Sequence, residues 1–151
     1  MAHFVQSPGN TVPDKPTAKP PRKVVRAEFS VTARVARNFF AILTSAFAAG
    51  VLIQVFFAGM GAFGANWSYH LTFVHFLEPV PLLMAPVAFV GRLPWGLRLL
   101  PLALVFLIGV QYAFANSTVP AAALHPVNGF LILLTSLLIA RRAWTTVRRK
   151  G

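Results

Sequence analysis

The chain has 151 residues, of which 56% are hydrophobic and only 11% are charged, whereas a water-soluble domain carries about 25% charged residues. This composition excludes an ordinary soluble domain and predicts a protein that lies mostly within a lipid bilayer. The absence of cysteine excludes disulfides, thiolate chemistry and cysteine-ligated zinc or iron–sulfur sites.

The N-terminal segment has two parts. Residues 1–22 contain five prolines and predict an extended tail. Residues 23–37 carry basic and polar residues at three- and four-residue steps, which predicts an amphipathic helix that lies on the cytoplasmic membrane surface and leads into the first span. A solvated charged leader is the alternative, and the alternation from Glu28 to Val35 also permits a strand.

A membrane domain over residues 38–145 follows, and a basic tail over residues 146–151 ends the chain. Each apolar segment of this domain is close to the ~20 residues that a helix needs to cross a bilayer core. The four segments cover about residues 39–64, 71–91, 99–115 and 119–140. The predicted fold class is therefore all-α, an integral membrane bundle of four transmembrane helices.

The basic residues predict the orientation of the bundle. All 14 lysines and arginines lie before span one, between spans two and three, or after span four. These segments share one side of the membrane, which the positive-inside rule identifies as the cytoplasm. We therefore expect a multi-pass protein of the inner (cytoplasmic) membrane with both termini in the cytoplasm. Because the charge follows the membrane edge, nucleic acid is not an expected partner. The candidates for contacts with anionic lipids or a protein partner are Arg26, Arg34, Arg37, Arg141 and Arg142.

Small and polar residues within the spans predict contacts between helices. Small residues let helix backbones approach closely, and the candidates are Ala58, Gly61, Ala62, Ala65 and Gly129. Gln54 and Gln111 are each expected to hydrogen-bond across the bundle. Asn128 adds a further amide in the first turns of span four.

Span two contains prolines and the one carboxylate within the spans. Pro79 and Pro81 each remove a backbone hydrogen bond, which predicts a kink. Glu78 lies three residues after His75 and so on the same helix face, and its candidate partners are His75 and Gln111. A buried carboxylate is costly enough to predict a role or a partner. An ion-handling site and a protonated, hydrogen-bonded glutamic acid are the two interpretations.

Histidines occur near the entrances of spans two and four. His125 precedes Pro126, which suits the first turn of a helix and makes His125 the cap or boundary residue. His70 and His75 lie about 140° apart around a helix and do not share a face. Either one, together with His125 from another span, is a candidate ligand pair for the iron of haem b or for another tetrapyrrole. Interfacial or hydrogen-bonding histidines are the simpler interpretation.

Several motifs occur in a characteristic order along residues 38–145. They are "QVFFAGMGAFG" ending span one, "WSYHLTFVH" opening span two, "VGRLP" before span three, and "ALHPVNGFLILL" and "ARRAW" opening and closing span four. This order resembles a family of small bacterial four-helix membrane proteins of unknown function. The resemblance implies the fold and no activity, and it leaves the N-terminal tail outside.

Three functional hypotheses follow. No catalytic set of side chains is recognisable, so the chain is not expected to be an enzyme. The leading hypothesis is a non-catalytic accessory subunit that docks on other membrane subunits of a bacterial bioenergetic or photosynthetic complex. The second is a haem b electron-transfer protein that uses His125 with His75 or His70. The third is a small transporter or channel lined by Glu78, His75 and Gln111.

Overall fold

The computed structural model of the chain describes residues 31–149. The predictions for residues 1–30, including the extended tail and Arg26, and for residues 150–151 lie outside the described residues. The helices are α1 (Val31–Ala62), α2 (Ser68–Leu77), α3 (Val80–Val90), α4 (Trp95–Ala115) and α5 (Leu124–Arg148), with a 3₁₀ turn at Ala121–Ala123.

Four helical segments of the described chain are long and apolar enough to cross a membrane. They are Val31–Ala62, Ser68–Val90, Trp95–Ala115 and Ala121–Arg148. No strand occurs between residues 31 and 149. The all-α bundle of four transmembrane helices is therefore confirmed, and the chain is a multi-pass membrane protein.

The first and last helices of the chain, α1 and α5, are longer than predicted. Residues 31–37 were expected in a separate interfacial helix, but they continue without a break into α1. This segment has no proline or glycine before Gly50, so nothing interrupts the helical hydrogen bonds. At the other end, α5 continues past residue 140 through Arg141 and Arg142 to Arg148.

Span two is broken where the sequence predicts it. The helix α2 ends at Leu77, and α3 begins at Val80 after Pro79. Because Pro79 and Pro81 have no backbone N–H, two hydrogen bonds of a continuous helix are missing here. The predicted kink is confirmed as a division of the span into two short helices.

The spans form an up-and-down ring. The helix α1 packs against α3 and α5, and α4 packs against α3 and α5. The core between them contains Phe40, Met84, Leu104 and Ile139, all fully buried. In contrast, the backbone of α2 packs closely against α1 and α3 but not against α4 or α5, which it approaches through side chains. The half of the bundle that contains α2 is therefore open on the side of α4.

The two ends of the bundle differ in charge. One end, here called the basic end, contains the start of α1, the turn at residues 91–94 and the end of α5. The opposite end, the neutral end, contains the loops at residues 63–67 and 116–120, which have no charged residue. All arginines of the described chain lie in or near the basic end: Arg34, Arg37, Arg92, Arg98, Arg141, Arg142, Arg148 and Arg149.

Arg37 is not the surface residue that the sequence predicts. Its side chain is buried, with 4% of the residue exposed. Nε donates a hydrogen bond to the Gly91 carbonyl at 2.7 Å, and Nη2 donates to the Arg92 carbonyl at 3.4 Å. The turn after α3 folds over α1 and exposes these carbonyls to it, so Arg37 is drawn inward. Arg34, Arg141 and Arg142 are exposed, and their contacts with lipids or partners stay predictions.

The predicted small residues have different surroundings. A Cβ atom on Gly61 would lie 2.6 Å from the indole of Trp67, and one on Gly129 would lie 3.4 Å from Nε2 of Gln111. Gly61 therefore accommodates a loop side chain rather than a helix. Ala62 is exposed, Ala65 is half-buried in the loop, and Ala58 lines a cavity. Gly50, which contacts Leu77, is a close approach that the sequence analysis missed.

Candidate functional site

An apolar cavity of about 390 Å³ lies in the half of the bundle nearest the neutral end. Its walls come from α1, α2, α4 and α5, and it exists because α2 does not close against α4 or α5. Most lining side chains are aliphatic or aromatic. The polar lining residues are Gln54, His70, Glu78, Gln111, Tyr112 and His125.

His70 and His125 both line this cavity and lie close together. Their ring centroids are 6.4 Å apart, and the ring planes are inclined at 57°. His70 lies in the first turn of α2, and His125 is the second residue of α5. His125 was predicted to be the cap or boundary residue: the cap is Ala123, because the 3₁₀ turn at Ala121–Ala123 leads directly into α5, and His125 lies at the boundary in the first turn. Pro126 lies in the first turn of α5, as predicted.

The two histidines are held in the same way. Nδ1 of His70 lies 3.3 Å from the backbone oxygen of Gln54, and Nδ1 of His125 lies 3.2 Å from that of Gln111. A carbonyl oxygen can only accept, so in each neutral imidazole Nδ1 carries the proton and donates it. Nε2 is then left with a lone pair. Among the described residues, neither Nε2 atom forms a hydrogen bond.

The glutamine side chains support the same pair. Nε2 of Gln54 donates to the backbone oxygen of His70 at 2.9 Å, which links α1 to α2. Nδ2 of Asn128 donates to Oε1 of Gln111 at 2.6 Å and to the Leu107 carbonyl at 2.8 Å, which links α5 to α4. Gln54 and Gln111 were predicted to hydrogen-bond across the bundle, and both do; Asn128 as the partner of Gln111 was not predicted.

One acceptor in the cavity wall has no donor in the described structure. Oε1 of Gln54 is buried and forms no hydrogen bond. An unsatisfied buried acceptor costs about 1–3 kcal/mol. A ligand that carries a donor group would recover that energy.

His75 and Glu78 form a separate cluster at the edge of the cavity. Nδ1 of His75 lies 3.3 Å from Oε1 of Glu78. Of the two candidate partners that the sequence offered, His75 therefore contacts Glu78, whereas the Gln111 side chain bonds to Asn128. The Tyr112 hydroxyl donates to Oε2 of Glu78 at 2.5 Å, a contact between residues 34 positions apart that local spacing could not reveal. The His75 side chain is 66% exposed and does not line the cavity. The structure therefore pairs His125 with His70 and not with His75.

The two histidines suit a metal-containing cofactor whose own atoms provide most of the metal ligands. No group of three or more His, Cys, Asp or Glu side chains that could hold a metal ion occurs among residues 31–149. Two imidazoles alone leave most coordination positions of a metal ion unfilled. In a haem, the macrocycle fills the remaining ones.

Comparison with known proteins gives a match to a family model. No curated protein and no solved structure matches the chain. The family model matches residues 54–119, a segment that includes Gln54, His70, Glu78 and Gln111 and stops before His125. This confirms the predicted resemblance to an uncharacterised family. Over residues 54–119, the chain is similar to DUF6220, a family of unknown function.

Proposed function

We propose that the protein binds haem b between His70 and His125 and transfers electrons within the membrane. The separation of the two rings carries this proposal. Two imidazoles that ligate one metal from opposite sides through bonds of about 2.0 Å have ring centroids roughly 6 to 6.5 Å apart. The His70 and His125 centroids are 6.4 Å apart.

The protonation state of the histidines also supports haem binding. A ligating histidine usually donates its other ring N–H to a carbonyl or carboxylate, which orients the ring and makes the ligating nitrogen more basic. His70 and His125 both have this contact, to Gln54 and Gln111. In this tautomer the Nε2 lone pair of each ring is available to ligate a metal ion.

The cavity wall is compatible with a porphyrin. Its lining is mostly apolar and contains no lysine or arginine, so a carboxyl side group of haem b would favour its protonated form there. A protonated carboxyl group can donate a hydrogen bond, and Oε1 of Gln54 is a buried acceptor that has no donor in the described structure. When bound, the iron supplies a reversible one-electron couple.

The test is the absorption spectrum of the purified full chain. We expect wild-type protein, titrated with haem b, to bind one haem with the spectrum of six-coordinate, low-spin iron. His70→Ala and His125→Ala should each abolish this spectrum, because one axial ligand is lost. His75→Ala is the matched control, since His75 lies on α2 but outside the cavity, and it should keep the wild-type spectrum.

Two results would contradict the proposal. One is wild-type protein that folds but binds no haem. The other is a wild-type spectrum in both His70→Ala and His125→Ala. The accessory-subunit hypothesis stays a prediction, which the mass and composition of the native particle in mild detergent would test. The transporter hypothesis also stays a prediction, and loss of flux in Glu78→Gln would support it.

A further inference from the structure

We infer that the electron donor to this site is a lipid-soluble quinol, which enters between α2 and α4 and loses its protons to Glu78. This inference rests on the proposed function, because the bound haem is the electron acceptor. It assigns a substrate class to the open side of the cavity and a proton-accepting role to the carboxylate at its edge.

The opening lies at the depth of the lipid chains. Glu78 and Tyr112 both line the cavity and both are partly exposed. They come from the two sides of the gap between α2 and α4, and the hydrogen bond between them spans it, so an entering molecule has to part these two side chains. Glu78 is ten residues after Ser68, which corresponds to about 15 Å along a helix. A bilayer core is about 30 Å thick, so the gap opens near its middle. A molecule that enters here comes from the lipid phase.

The polar groups at the opening suit a hydroxyl donor on an aromatic ring. Oε2 of Glu78 already accepts a hydrogen bond from the phenol of Tyr112, which is the same chemical group that a quinol presents. Oε1 has only the longer 3.3 Å contact with His75, whose side chain is mostly exposed and can turn away. A carboxylate at this depth is costly and marks a functional site by default.

The charge distribution favours a lipid-phase partner over a soluble protein. Soluble partners are steered to their docking sites by complementary charge. The histidine pair lies towards the neutral end, whose loops at residues 63–67 and 116–120 carry no charge. The arginines of the described chain lie in or near the basic end, on the far side of the bundle from the pair.

The reaction balances without a further reagent. One quinol loses two electrons and two protons and becomes a quinone. The two electrons reduce two ferric haems, one in each of two protein molecules, to the ferrous state. Each of the two protein molecules also accepts one of the two protons, on the carboxylate of its Glu78.

The experiment compares wild-type protein with Glu78→Gln, both loaded with haem and oxidised. We expect decylubiquinol to reduce the wild-type haem, followed as the appearance of the ferrous spectrum. Glu78→Gln keeps the shape of the side chain and its bond from Tyr112 but cannot take up a proton, so reduction should be about tenfold slower or more. Native mass spectrometry provides a second readout that does not depend on electron transfer: it should detect decylubiquinol bound to the wild-type protein.

The controls separate this inference from the proposed function. Thr72→Val removes an exposed polar group on α2 that does not line the cavity, and it should reduce at the wild-type rate. Dithionite should reduce all three proteins equally, and their oxidised spectra should agree. The inference is overturned if decylubiquinol neither binds to nor reduces haem-loaded wild type, or if Glu78→Gln is as fast as wild type. Loss of haem itself would instead overturn the proposed function.

Discussion

Gly61 shows at the level of a single residue how the ring of His70 is held in place. The indole of Trp67 lies directly on its backbone and meets the ring of His70 edge-on, with centroids 5.6 Å apart. A methyl group at Gly61 would lie 2.6 Å from the indole, so the ring must move. We expect Gly61→Ala to lower the free energy of unfolding by about 1–3 kcal/mol and to weaken haem retention.

Gly59 is the matched control for this substitution. It lies two residues earlier in α1, and a Cβ atom there would meet nothing within 4 Å. Gly59→Ala should therefore leave stability within about 1 kcal/mol of wild type, with any gain from helix propensity. Thermal unfolding of the purified proteins, followed by circular dichroism in one detergent, compares them. Equal midpoints for the two variants would refute the packing role of Gly61.

At the level of elements, Arg37 connects α1 to the turn between α3 and α4. Its guanidinium donates to the Gly91 and Arg92 carbonyls, and Gly91 is buried. Replacing Arg37 with Met keeps apolar bulk but leaves a buried carbonyl without this charged donor. Because hydrogen bonds to charged groups are worth about 1.5–3 kcal/mol, we expect Arg37→Met to destabilise the bundle by about 2 kcal/mol.

Arg34 lies one turn earlier on α1 and is exposed, so it controls for the loss of charge. Arg34→Met should change the free energy of unfolding by no more than about 0.5 kcal/mol. The same unfolding measurement, repeated at high salt, separates the buried hydrogen bonds from screened surface charge. If both variants lose equal stability, Arg37 acts only through the net charge of the basic end.

For the whole molecule, the difference in charge between the two ends predicts its orientation. The positive-inside rule places the basic end in the cytoplasm. The chain has no cysteine, so a cysteine introduced at Thr118 or at Thr145 is its only thiol. We expect a membrane-impermeant thiol reagent added to intact cells to label Thr118→Cys and not Thr145→Cys. Opening the cells should expose Thr145→Cys, and the reverse pattern would invert the bundle.

The sequence by itself determined that the chain lies in lipid, that it has four spans, and that span two is broken. These properties depend on local composition and on single residues such as Pro79, because lipid selects apolar helices and proline removes a backbone donor wherever the helix packs. The hydrogen bonding of the Gln54 and Gln111 side chains could also be predicted from the residue type, since an amide in lipid needs a partner.

Only the tertiary structure decided which residues meet. It brought His70 rather than His75 to His125, drew Arg37 inside, and placed Tyr112 on Glu78. These outcomes depend on the rotation of each helix about its axis and on the tilt of α2 after the break. Both are set by packing between residues that are far apart in the chain, where many arrangements satisfy the same local pattern.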